Sequence, residues 1–162
     1  MKIVDIEKWA PLIGRAVISF GYLESITHEC IKAWTTPTIS KHSQSLNLAK
    51  RIDFASDLLA HQSAPEPTKI EFTKDLKRIK QLVEVRNTIA HSPLSLVIFD
   101  DTMREAIFHA SNSKRTIEFD ALERTVIEVE AIIDRLYRNQ AAIRFANIEL
   151  SIPPEWQGLG SE

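Results

Sequence analysis

One cysteine in a chain of 162 residues rules out an intramolecular disulfide, and its place on an apolar helical row gives Cys30 the role of a small buried hydrophobe. Four glycines leave little material for flexible linkers, and the seven prolines cluster between the long periodic segments. No internal repeat is visible. No apolar run reaches the ~20 residues of a membrane span. The opening "MKIVDIEKWAPLIGRAVISF" carries acidic residues where a secretory signal needs an uninterrupted apolar stretch. A cytoplasmic protein with no membrane partner is the expectation.

Positive charge is not in excess either. Lys and Arg number 20 against 22 Asp and Glu, and the net charge of −2 excludes a protein that coats nucleic acid by bulk electrostatics, though not one with a local site. The segment "KIEFTKDLKRIKQLVEVR" forms a modest basic face, in which Lys77 and Lys80 are candidate RNA contacts; ordinary solvated helix surface has the same composition. HExxH, CxxC, P-loop and GxGxxG patterns are missing, and His28, Cys30, His42 and His61 lack the spacing of a closed zinc site. Neither a metal nor a cofactor is expected.

What remains is enough for a core. A 44% hydrophobic, 26% charged chain of this length is most economically a single domain over residues 1–162. Trp9, Ile13, Ala16, Phe20, Leu23, Thr27, Cys30 and Trp34 alternate by four and three, which predicts one long helix over 9–34, with Pro11 in its first turn or at a slight kink near its start and "TTPT" as its end. A second helix is predicted from about Ser45 to Leu59, with Leu48, Ile52, Ala55 and Leu59 inside. A third opens at Thr68, with Glu71 closing a capping box, and runs to about Ala90 before Ser92 and Pro93 stop it.

"LSLVIFDD", "EAIFHAS" and "KRTIEF", separated by "DDTMR" and "SNSKR", predict a small antiparallel hairpin or three-stranded flap. Asp120 is expected to cap a last long helix that buries Leu122, Val126, Val129, Ile133, Leu136 and Ile143. The tail, from about 148 to 162, is expected to be extended and to dock through Trp156. The sum is a mainly all-α chain of four to five helices with a β flap before the last one.

Within the third helix, Phe72, Leu76, Ile79, Val83, Arg86 and Ala90 follow one another in steps of four and three, so the apolar stripe runs through Arg86. An inward guanidinium left unpaired costs several kcal/mol. On the first helix Val17, Glu24 and Ile31 lie seven apart, and Glu24 is the one charge in that row. Glu24 is therefore the expected partner of Arg86, either as a buried ion pair that sets helix register or as part of a working site. His91 follows Arg86 by five residues, about 140° around a regular helix, but the fraying end before Pro93 lets the imidazole swing toward the arginine. A histidine at a helix C-terminus is also favoured by the helix dipole alone. Ser92 reads as a turn residue.

The run Arg86-Asn87-Thr88-Ile89-Ala90-His91 resembles the RxxxxH signature of HEPN domains, in which a polar residue follows the arginine, here Asn87. The helix layout over roughly 9–147 agrees. The resemblance implies a HEPN-like helical bundle, a homodimer, and metal-independent endoribonuclease activity of a toxin-antitoxin or phage-defence kind. It implies Arg86 and His91 as catalytic, Asn87 as their support, RNA as substrate, and a cognate antitoxin or other protein as partner. The residue chemistry fits on its own: histidine takes a proton at neutral pH, and arginine forks onto phosphate oxygens. Other members of the family have lost catalysis, and the rival reading is a non-catalytic accessory or immunity module in which Glu24, Arg86 and His91 form a structural network.

Overall fold

The computed structural model describes residues 4–99, 102–108 and 116–149. Five helices and three strands follow in the order α1 (Ile6–Trp34), α2 (Pro37–Ser43), α3 (Leu48–Ala60), α4 (Glu66–His91), β1 (Leu94–Phe99), β2 (Thr102–Phe108), β3 (Thr116–Glu118) and α5 (Phe119–Glu149). The chain is mainly helical with a small sheet before its last helix, as expected. No helix among the described residues is long and apolar enough to cross a membrane. The expected tail from residue 150 onward, Trp156 included, lies outside the described residues; 148 and 149 still belong to α5.

Several boundaries move, each for a local reason. Asp5 accepts from the Lys8 amide at 3.1 Å and so caps α1 ahead of Trp9. Pro11 consequently sits in the second turn, not the first, where it removes one bond from the helical ladder. "TTPT" ends α1 but also starts α2, because Thr36 caps it and Pro37 suits a first helical position. Asn47, whose side chain accepts from the Lys50 amide, starts α3 at Leu48 instead of Ser45. Thr68 makes no capping box: α4 begins earlier, at Glu66, and Glu71 accepts from Asn139 at 2.8 Å. Asp120 lies in the first turn of α5, which Phe119 opens, and its charge still favours that end. "DDTMR" is not all separator, since Thr102, Met103 and Arg104 pair with β1.

Contacts divide the chain into two compact units, residues 1–25 with 78–133 and residues 26–77 with 134–162, so α1, α4 and α5 contribute to both. In the first unit, Trp9, Leu12 and Ala16 of α1 meet Ile107 of β2, Ile117 of β3 and Leu122 and Val126 of α5 in one buried cluster. Trp9 stacks edge-on to Phe119 at 5.1 Å and donates its indole N–H to Glu105 at 2.9 Å. Glu105 also accepts from the Asp5 amide, tying the start of α1 to β2. Arg15 and Arg78 reach α5 through two-pronged pairs with Glu130 and Glu128. The sheet has order β1-β2-β3 and is antiparallel throughout.

The second unit buries the predicted rows: Thr27 and Cys30 of α1, Leu48, Ile52, Ala55 and Leu59 of α3, Phe72 and Leu76 of α4, and Leu136 and Ile143 of α5. Each large apolar side chain so buried contributes about 1.5–3 kcal/mol. Trp34 packs edge-on against Phe72 at 6.0 Å. Asp75, almost fully buried, receives two hydrogen bonds from Arg135 at 2.7 and 3.0 Å.

Candidate functional site

Arg86 is not inside the core. A strict alternation of four and three has a period of 3.5, and a straight helix drifts from it by about 20° per heptad, or about 40° over the two heptads from Phe72 to Arg86. Over its last turns α4 buries Ile79 and Leu82 and packs Val85 and Ile89 against the first unit's cluster. Val83 is half-buried, Ala90 is exposed, and the Arg86 side chain keeps 38% of its surface.

The expected pair is nevertheless made. Arg86 Nη2 donates to Glu24 Oε1 at 3.0 Å, with the Glu24 side chain 31% exposed. Arg86 Nη1 donates to Asn87 Oδ1 at 3.3 Å. The ion pair therefore stands at a rim, and the reading of it as a buried pair is corrected: both groups keep contact with water.

The rim belongs to a cavity of about 240 Å³ lined by Val17, Phe20, Gly21, Glu24, Arg86, Ile89 and Ala90. On α1 these residues fall at spacings of three, one and three, and on α4 at three and one, the spacing that puts side chains on one helix face. Phe20, Ile89 and Ala90 were not singled out as walls from sequence, although the same spacing around Glu24 and Arg86 carried the signal. The result is an apolar slot with a cation, a carboxylate and an amide at its edge. Such an edge can hold a phosphate oxygen on the guanidinium while Glu24 and Asn87 fix the guanidinium's plane.

His91 does not join it. The helix stays regular through His91, because proline restricts the residue before it, Ser92, and spares the one before that. The imidazole is exposed, is not among the residues lining the cavity, and has no hydrogen bond to Arg86 among the described residues. The expected swing of a frayed turn is absent from the single chain.

Lys77, Arg78 and Lys80 are exposed on α4, and Arg78 donates to Glu128, hydrogen bonds that raise the arginine's pKa. A second cavity, of about 190 Å³, lies where Lys8, Arg104, Glu105, Glu118 and Asp120 meet Trp9 and Phe119; Lys8 Nζ stands 4.3 Å from the Phe119 ring centre, and Arg104 pairs with Glu118 at 3.3 Å. Cys30 is buried, and that burial pushes its thiol up to about 12, far from a reactive thiolate. Among the described residues no three His, Cys, Asp or Glu side chains gather as a metal site would require. Comparison with known families, curated proteins and solved structures gives no match to this chain, which leaves the likeness to HEPN domains resting on residues 86–91 and the helical layout.

Proposed function

We propose that the chain is a HEPN-type endoribonuclease that cleaves RNA by 2′-hydroxyl attack and works as a twofold homodimer. The observation that carries the reading is the Arg86 guanidinium at the open edge of an apolar slot, half-exposed and held in plane by Glu24 and Asn87. In this mechanism His91 takes the proton from the 2′-hydroxyl, the oxygen attacks phosphorus, and Arg86 stabilises the charge of the crowded phosphorane. The 5′-oxygen leaves with a proton from His91 of a second copy. No step needs a metal. His91 stands apart from the slot in one chain, so the reading requires a dimer cleft in which His91 and Arg86 of both copies converge on one phosphate, and this gives the dimer its chemical purpose. Lys77 and Lys80 would add backbone contacts. The setting is a cytoplasmic toxin-antitoxin or phage-defence system with a cognate antitoxin or another protein as partner.

One observation favours the rival reading, a non-catalytic interaction module: Glu24 already neutralises Arg86, and Val17 of the same slot leaves apolar surface exposed on α1. The deciding experiment incubates wild type and His91→Ala with mixed cellular RNA in EDTA and maps the ends by sequencing. The ribonuclease leaves 2′,3′-cyclic phosphate and 5′-hydroxyl ends, spares DNA, which lacks the internal nucleophile, and loses activity in His91→Ala. Equal cleavage by both proteins sinks the reading and promotes the interaction module.

A further inference from the structure

The two edges of the sheet are treated differently. β3 is blunt, with three residues and a Glu118 tied to Arg104. β1 is six residues long, LSLVIF, with no charge and no proline, and its register with β2 runs unbroken from Leu94↔Ile107 to Phe99↔Thr102. Edge strands of monomers are normally protected by charge, proline, a bulge or shortness. β1 has none of these.

The phase of the ladder shows what that edge offers. The Phe108 amide donates to the Pro93 carbonyl at 3.1 Å, which makes 93 and 108 a hydrogen-bonded position. Antiparallel positions alternate between bonded and unbonded. Ser95, Val97 and Phe99 therefore turn their amides and carbonyls to β2, while those of Leu94, Leu96 and Ile98 point away from the sheet. Among the described residues these three amides and three carbonyls have no hydrogen-bond partner.

We infer that the β1 edge pairs with β1 of a second copy, antiparallel about a twofold axis at Leu96, joining two three-stranded sheets into one. The strand is self-complementary in that register. Leu96 faces Leu96 of the second copy and Leu94 faces its Ile98, so every outward amide meets an outward carbonyl and none is left over. Side chains at 94, 96 and 98 share one face of the sheet. Ile98, 68% exposed beside the equally exposed Met103, comes to lie next to the second copy's Leu94, which packs on its own core cluster. The uncharged strand brings no like charges together across the axis. A contact built mainly from one strand pair is small, so the association belongs in the micromolar range. It does not depend on the ribonuclease reading.

The test follows the purified chain of residues 1–162 by sedimentation equilibrium across micromolar concentrations and by amide hydrogen exchange. Leu96→Pro removes an outward amide and leaves the ladder to β2 intact, and by symmetry it deletes two bonds from the joint. Ile98→Lys places a charge at the exposed end and serves if the proline variant loses its fold by circular dichroism. Wild type is expected to dimerise, with the Leu94, Leu96 and Ile98 amides slowing as concentration rises, and each variant is expected to weaken the dimer by about tenfold or more. Three results overturn the inference: a monomeric wild type, a dimer of undiminished strength in the folded variants, or a Leu96 amide that exchanges freely in a dimeric sample. The last of these assigns the dimer to another surface, such as the exposed face of α1.

Discussion

Arg86 on α4 and Glu24 on α1 form an ion pair that water still reaches, with Nη2 and Oε1 3.0 Å apart and about a third of each side chain exposed. Solvent access weakens what such a pair contributes to stability and leaves the guanidinium within reach of a ligand. The double-mutant cycle of Glu24→Gln and Arg86→Ala in urea is expected to show a coupling of about 0.2–1 kcal/mol. A coupling above about 3 kcal/mol would place the pair in a desolvated core instead; a value of zero would dissolve it.

Asp75 and Arg135 present the opposite case. Asp75 is 4% exposed and takes both bonds of the guanidinium. Asp75→Ala removes two of the arginine's hydrogen bonds, and the expected loss is about 2–3 kcal/mol, less than for a fully buried pair because Arg135 keeps a third of its surface. Thermal and urea unfolding measure it, and a loss under about 0.5 kcal/mol would show that water compensates the arginine completely.

Glu105 joins the flap to the first helix by accepting from both the Trp9 indole and the Asp5 amide. Glu105→Ala buries an indole N–H without a partner at a cost of about 1–3 kcal/mol, and the tryptophan emission should change with it. Glu105→Gln keeps one acceptor and should recover part of the loss. Equal stability of the two variants would assign the effect to the charge alone.

Gly14 and Gly21 carry a different expectation. A methyl group added at either position meets nothing within 4 Å. Neither glycine is required by packing inside the chain, so Gly14→Ala and Gly21→Ala should each stabilise the helix by about 0.5–1 kcal/mol in chemical unfolding. If α1 is the dimer face of the ribonuclease, Gly21→Leu should weaken dimerisation while sparing the monomer's fold. Destabilisation by the alanines at concentrations where the protein is monomeric would reveal an unseen constraint on the backbone.

The α1 row from Trp9 to Trp34 and the α3 row from Leu48 to Leu59 were legible because each helix keeps a hydrophobic face that periodicity reveals. The strands were legible from their branched and aromatic runs. Arg86 shows where that reasoning fails: a heptad row extended over about four turns accumulates enough angular drift to move a residue from the core to its rim. Yet the partner was right, since Glu24 broke an apolar row at a matching level of α1. The expected swing of His91 gave Pro93 too long a reach: proline restricts only Ser92, the residue before it, and leaves His91 helical. α2 was hidden because its seven residues are too few for a period to show.

Cys30 has one more consequence. It is the only thiol in the chain, it is buried, and burial holds it protonated at every ordinary pH. An alkylating reagent at neutral pH finds neither thiolate nor a route to sulfur until the surrounding helices part. Each labelled molecule then records a single opening, with no second cysteine to confuse the tally. The labelling rate is thus a clock carried in the sequence, reporting how often the second unit breathes without any probe being introduced.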